Sequence, residues 1–251
     1  MNIAEYLRRL RFSDDSRADK DTFIRLHRQH ILNIPFENLD IQNKREIVLE
    51  KEALFKKVVD RNRGGFCYEL NYLFHWLLNE IGFEVRIISA SIFDDQGILG
   101  PPFDHMALIV TIEGKSWLAD VGYGDLFIEP IQLLPGLKQT DKAGVFRIDR
   151  SDNGKYLLSG TAKNGKLEKK YVFDLQERHI ADFMEECELK QHTPDSHFVK
   201  NKICTLATSD GRKTILNSKY IRRSNGNKTE TPLLTEEQEK DILKNEFGIP
   251  D

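Results

Sequence analysis

The stretch Arg63-Gly64-Gly65-Phe66-Cys67-Tyr68-Glu69-Leu70-Asn71 places a cysteine where a glycine pair runs into an apolar-periodic segment. Cys67, Leu70, Asn71, Phe74, Leu77, Leu78 and Ile81 recur at three- and four-residue steps, so the segment reads as a helix with one inward face that begins at Cys67. A sulfur at that point sits over the unpaired N–H groups of the first turn. Those donors and the positive end of the helix dipole favour a thiolate, and two glycines leave room for a substrate against the backbone. A buried structural cysteine opening a core helix is the competing reading, and this stretch alone leaves both open.

Outward from it, towards the N-terminus, the period stays helical. Phe23, Leu26 and His30 share one face, Leu54, Phe55, Val58 and Val59 another, and Ile3, Tyr6, Leu7 and Leu10 a third. This pattern predicts a small helical bundle. Within it, Pro35 stops a helix and leaves Phe36 and Glu37 on a loop. A buried Glu37 would need a cation, and Arg63 is the candidate.

From Phe83 onward the period shifts towards alternation. Strands are expected over 83–93, 106–112, 116–119, 145–149, 155–161 and 169–175, with turns at Glu113-Gly114, Asp152-Asn153-Gly154 and Asn164-Gly165. Consecutive hairpins of this kind predict an antiparallel barrel or strongly curved sheet. The charges over 163–170 flank a turn and read as a solvated face. A helix over 179–190 follows, then strands over 203–208, 213–216 and 219–222. Thr235 and Gln238, in capping-box spacing, open a last helix that stops at Gly248.

At 251 residues the chain can bury a large core, as one domain or as two or three packed sub-domains. Three cysteines, odd in number and without a CxxC pair, argue against a disulfide framework and for a reducing compartment, by default the cytoplasm. The charged first ten residues are neither a signal peptide nor a membrane span. A net charge of -3 and the lack of a basic stripe argue against nucleic acid as a partner. His27 and His30 lie at helical spacing, but no third ligand is visible nearby, so they read as a solvated or core-edge pair with no metal.

A nucleophilic cysteine needs a histidine partner, and that histidine needs an orienting group. His105 stands at the mouth of the apolar strand Met106-Ala107-Leu108-Ile109-Val110, and Asp120 ends the next strand in Asp120-Val121-Gly122-Tyr123-Gly124. The Glu113-Gly114 hairpin can make them cross-strand neighbours. Taken singly, His105 reads more readily as a core histidine and Asp120 as a turn former. Cys187 and Cys204 have no glycine turn beside them and read as packing residues.

Ile34-Pro35-Phe36-Glu37-Asn38-Leu39, Arg63-Gly64-Gly65-Phe66-Cys67 with Asn71, His105, Asp120-Val121-Gly122-Tyr123-Gly124, His192-Thr193-Pro194-Asp195-Ser196-His197-Phe198 and Phe247-Gly248-Ile249 together resemble the arylamine N-acetyltransferase family, in the family's order and over nearly the whole chain. The chain lacks the long inter-domain insertion of vertebrate members and looks like the bacterial type. The resemblance implies an α+β fold: a helical bundle over 1–82 carrying the cysteine, an antiparallel β-barrel over 83–177 carrying the histidine and aspartate, and an α/β lid over 178–251, around a cysteine-protease-like triad core. It implies a Cys67, His105, Asp120 triad supported by an Arg63–Glu37 ion pair, and acetyl-CoA as cosubstrate. Phe36, Tyr123 and Phe103 match positions that line the acceptor pocket, and Pro101, Pro102 and Gly124 match positions near coenzyme A. A proline has no N–H to offer that ligand. Asp125 stands where some members are basic or neutral.

The reaction so implied is a ping-pong transfer through an acetyl-cysteine to the nitrogen of an arylamine or arylhydrazine, or to the oxygen of an N-hydroxyarylamine. The expected partners are coenzyme A and a small aromatic acceptor, without nucleic acid or membrane, in a monomer or weak homo-oligomer. Two other readings use the same residues: a transglutaminase-like cysteine amidase or hydrolase, and a non-catalytic protein that binds aromatic ligands beside an inert thiol.

Overall fold

The computed structural model describes residues 1–161 and 165–250. Lys163 and Asn164, read above as part of a solvated turn, lie outside the described residues. The chain opens with α1 (Ile3–Arg9), α2 (Lys20–Asn33), strand β1 (Phe36–Glu37), α3 (Leu39–Gln42), α4 (Lys51–Phe55, continued by a π-helical turn over Lys56–Asp60) and α5 (Cys67–Ile81). Helix α2 starts where Asp19 accepts the Thr22 N–H at 2.8 Å. Helix α5 ends at Gly82, whose φ of 104° suits only glycine. Between those limits Leu70, Leu73, Phe74, Leu77 and Leu78 are wholly buried, which makes α5 the centre of the main core.

Eight strands follow: β2 (Glu84–Ile92), β3 (His105–Ile112), β4 (Lys115–Ala119), β5 (Ile131–Gln132), β6 (Lys138–Asp141), β7 (Gly144–Arg150), β8 (Tyr156–Thr161) and β9 (Leu167–Phe173). They form one antiparallel sheet in the order β5-β4-β3-β2-β9-β8-β7-β6. The sheet curls until its two edges meet. There the Gln139 side chain accepts the Gln132 N–H at 2.9 Å and donates to the Gln132 carbonyl at 2.8 Å, so a side chain stands in for the missing ladder. Met106, Leu108 and Val110 of β3 face the helical core, and Ala107 and Ile109 face the barrel interior. A strand covered on both sides is apolar throughout, which is why β3 shows little alternation.

A 3-10 turn over Ile180–Phe183, α6 (Met184–His192), α7 (His197–Lys200), β10 (Ile203–Thr208), β11 (Gly211–Leu216), β12 (Lys219–Ser224), β13 (Asn227–Pro232) and α8 (Glu236–Phe247) complete an α+β fold. The single helix expected over 179–190 is therefore a 3-10 turn followed by α6. Strand β13 was not expected, because all six of its residues are exposed and leave no alternation to read. Thr235 caps α8 by accepting the Gln238 N–H at 3.2 Å, but the Gln238 side chain reaches the Leu234 N–H instead of closing the capping box on Thr235.

Phe36 and Glu37 are not on a loop. They form β1 and pair antiparallel with β10, Phe36 opposite Thr205 and Glu37 opposite Cys204, in the order β1-β10-β11-β12-β13. Pro35 ends α2 as expected, and the backbone groups freed after it are taken up by a sheet drawn from the far end of the chain. Glu37 is wholly buried as a result.

A buried carboxylate must find cations and N–H donors. Glu37 accepts from Arg63 at 2.8 Å and from the Leu39 N–H at 2.7 Å. Arg63 also bonds Asp40 at 3.1 Å, and Lys57 joins Asp40 at 2.7 Å to Glu69 at 2.6 Å. The expected ion pair is thus part of a network of three carboxylates and two cations that fastens β1, α3, α4 and the start of α5 to one another. Arg63→Ala leaves Glu37 without its only cation within ion-pair distance among the described residues, and should cost about 3–5 kcal/mol. Urea denaturation measures this, and an unchanged midpoint would show that the network contributes nothing to stability.

Candidate active site

Helix α5 begins at Cys67 because the chain before it is extended at Phe66, with φ of -99° and ψ of -170°. The Glu69 side chain turns back to accept the Phe66 N–H at 3.0 Å. That donor is not open to the thiol as the sequence suggested. Burial pushes the Glu69 carboxyl up, Lys57 opposes this and Glu37 adds to it, and the balance is about 7. Nor do the two glycines make room for a substrate. A Cβ on Gly64 would lie 1.9 Å from the Pro35 carbonyl oxygen, and one on Gly65 would lie 2.7 Å from the Glu69 carboxylate. They are glycines so that β1 and the helix cap can close over this turn.

The register of β3 against β4 sets Leu108 opposite Ala119. Continued, it puts Asp120 opposite Ala107, so His105 and Asp120 are diagonal neighbours on one face and not directly opposite. Their side chains span that offset: His105 Nε2 and Asp120 Oδ2 are 2.7 Å apart, with both residues 1% exposed. Nδ1 is the ring nitrogen that Asp120 does not use, and Cys67, 4% exposed, lies close enough to the ring to act on its charge. Burial alone would lower the His105 pKa, but the Asp120 charge, its hydrogen bond and the Cys67 contact outweigh it and push the imidazole up to about 10. Asp120, in turn, is held below the usual carboxylate range against the effect of burial by His105, Asn71 and the Gly122 N–H.

Asn71 sits one turn after Cys67 on the same inward face. Its amide donates to Asp120 Oδ1 at 3.0 Å and to the Met106 carbonyl at 2.7 Å, and its oxygen accepts the Val121 N–H at 2.9 Å. Gly122 passes so close to the helix that an added Cβ would be 2.7 Å from Cys67 Cα. A polar residue on an apolar face was visible in the sequence as a signal. The close approach at Gly122 was not, because it depends on how the loop docks.

A family model described as N-acetyltransferase matches residues 19–250. The chain is 32% identical to the pineal gland isozyme NAT-10 of arylamine N-acetyltransferase from Gallus gallus, over 99% of this chain and 94% of that protein. It superposes on the arylamine N-acetyltransferase of Salmonella typhimurium with a TM-score of 0.93 and 29% identity, covering 98% of this chain and 90% of that one. The Mycobacterium marinum enzyme, solved in complex with CoA, gives a TM-score of 0.91 at 27% identity over 99% and 93% of the two chains. The chain belongs to the arylamine N-acetyltransferase family.

Within this family member, aromatic rings surround the Cys67–His105 pair. Tyr123 lies edge-on to His105 at 5.6 Å and Tyr171 tilts against it at 5.5 Å. Phe36 packs on Phe198, and Phe103 meets Phe183 edge-on. The structure thus brings Tyr123 against the pair, whereas Phe36 and Phe103 belong to neighbouring aromatic contacts. Pro101 and Pro102 are exposed, and the Pro101 carbonyl accepts from Ser91 at 2.8 Å. Arg212 of β11 donates to the Gly124 carbonyl and pairs with Asp125 at 3.0 Å, and Lys190 of α6 pairs with Asp104 next to His105. The sequence reading singled out neither cation. His27 and His30 are both wholly buried and not solvated; His30 bonds the Tyr6 hydroxyl at 3.0 Å, and His27 contacts the loop that carries Asp120.

Because the folded His105 value is raised, its contribution to stability is complete below about 6.5 and is lost as pH rises through about 10. Nitrogen-15 NMR should therefore find His105 charged at pH 8. In Asp120→Asn burial wins, and the ring should be neutral at that pH. Identical imidazole spectra for the two proteins would show that Asp120 does not hold the charge.

Proposed function

We propose that this protein transfers an acetyl group from acetyl-CoA to the nitrogen of arylamines or arylhydrazines, or to the oxygen of N-hydroxyarylamines, in two half-reactions through acetyl-Cys67. One observation carries the reading: a buried imidazole is bonded to Asp120 at 2.7 Å and has the buried Cys67 close enough to help hold its charge. The family relationship and the CoA-bound relative support the choice of donor and acceptor.

In the first half, the Cys67 sulfur attacks the thioester carbonyl while the His105 imidazolium gives its proton to the departing coenzyme A sulfur. His105 is then neutral and the acetyl group rests on Cys67. In the second half, the acceptor nitrogen attacks that carbonyl, His105 takes the proton it sheds, and the carbon–sulfur bond to Cys67 breaks. Thiolate and imidazolium are restored. Asp120 keeps its charge throughout and holds the ring in orientation, as the third group of such a triad does. Tyr123, Phe36 and Phe103 are the aromatic residues offered to the acceptor. Gly124, Pro101 and Pro102 flank the approach of coenzyme A, where contacts at the two prolines must use carbonyls or ring faces. Three unpaired cysteines fit a reducing setting such as the cytoplasm.

Intact-mass measurement after mixing with acetyl-CoA and no acceptor should show one added acetyl group, at Cys67. Cys187→Ala and Cys204→Ala should acquire it too, and Cys67→Ala should not. A Cys67→Ala protein that still acetylates an arylamine above background removes the mechanism.

A further inference from the structure

We infer that His27 is a positioning residue for the triad: from α2 it grips both ends of the loop 120–128 and thereby sets the place of Asp120. The inference rests on the acetyl-transfer reading above. His27 is wholly buried and touches that loop at two backbone atoms eight residues apart. Its Nδ1 is 2.8 Å from the Ile128 carbonyl, and its Nε2 is 3.1 Å from the Asp120 N–H. A carbonyl can only accept and an N–H can only donate. Nδ1 therefore carries the proton and Nε2 is the bare acceptor, so one tautomer of the neutral ring satisfies both contacts and the charged ring satisfies only one. Burial, working against Asp120 and Asp141, favours that neutral ring.

Between the gripped ends lie Tyr123, edge-on to His105, and Gly124, where an added Cβ would meet the Phe36 ring at 3.2 Å. Phe127, also in the loop, stacks on the His27 ring at 5.6 Å. The Asp120 carboxylate is aimed by Asn71 and Gly122, but its backbone nitrogen is held by His27. Loss of the clamp would free that backbone and move the carboxylate relative to His105. His30, one turn further along α2 and equally buried, bonds Tyr6 instead. A purely structural role would make the two histidines equivalent.

The experiment compares His27→Leu, His27→Gln and His30→Leu with the wild type. In the wild type, nitrogen-15 NMR should show His27 neutral with the proton on Nδ1. His27→Leu should lower kcat for acetylation of aniline about a hundredfold, the scale of a misplacement of about 1 Å, with KM for acetyl-CoA little changed. It should also leave His105 neutral at pH 8. His27→Gln, whose amide can supply both a donor and an acceptor, should recover part of kcat. His30→Leu should lower the melting temperature and leave kcat and the His105 spectrum as in the wild type. A His27 proton on Nε2, or His27 variants that lose only stability as His30→Leu does, overturns the inference. Should His27→Leu not fold, the wild-type tautomer and His27→Gln decide. A wild type that takes no acetyl group sinks the transferase reading, while the two imidazole spectra still decide whether His27 places Asp120.

Discussion

A carboxylate sealed from water has to have its charge met by the protein, and at Asp120 that requirement organises the molecule. His105 arrives from β3, Asn71 from α5 and the Gly122 N–H from the loop itself. Each partner lies on a different piece of chain, so the helical core and the barrel must dock in one arrangement to satisfy a single charge. The thiol is then placed by the same helix that places Asn71, one turn apart. Geometry for chemistry and burial of the carboxylate are consequently one constraint, and strain in either would be felt by both.

The second set of buried charges lies behind the first. Glu37, Asp40 and Glu69 are neutralised by Arg63 and Lys57, which leaves one carboxylate in excess. Burial raises the Glu69 carboxyl to about 7 against the pull of Lys57, so its charge is the one the network holds least firmly. Because Glu69 also accepts the Phe66 N–H, the network controls the turn that delivers Cys67 to His105. The glycines at 64 and 65 serve this packing, and Tyr123 lies edge-on to His105 on the aromatic side of the pair.

The sequence showed best what is local. The period of Leu70 to Leu78 gave α5, alternation gave most of the large sheet, and Cys67, His105 and Asp120, which the structure brings together, stood out by their contexts at strand and helix ends. What it could not show was long-range closure. Phe36 and Glu37 looked like loop because two residues have no period and their partners lie at 204 and 205. Strand β13 was hidden by its exposure on both faces, and the split of the helix expected over 179–190 by the weak amphipathicity of α6. His27 reads from the sequence as solvated or at the core edge because helical spacing reports which face a residue shares, not what covers that face. Lys57 and Asp40 were likewise unremarkable charges until burial gave them partners.

The pairing of β1 with β10 carries a consequence for how the molecule is made. Glu37 and Cys204 are separated along the chain by 204 − 37 = 167 residues, and Arg212 grips Gly124 from a strand made later still. A ribosome finishes the cysteine, the histidine and the aspartate long before it finishes the strand that buries Glu37. Until then Glu37 remains wet, the network is incomplete, and the loop after Asp120 lacks its grip from β11. Loop closure over such a span is slow compared with forming the helices and hairpins already present. The nascent chain therefore passes through a stage in which Cys67, His105 and Asp120 exist without their finished surroundings, which β10 and β11 complete when they emerge.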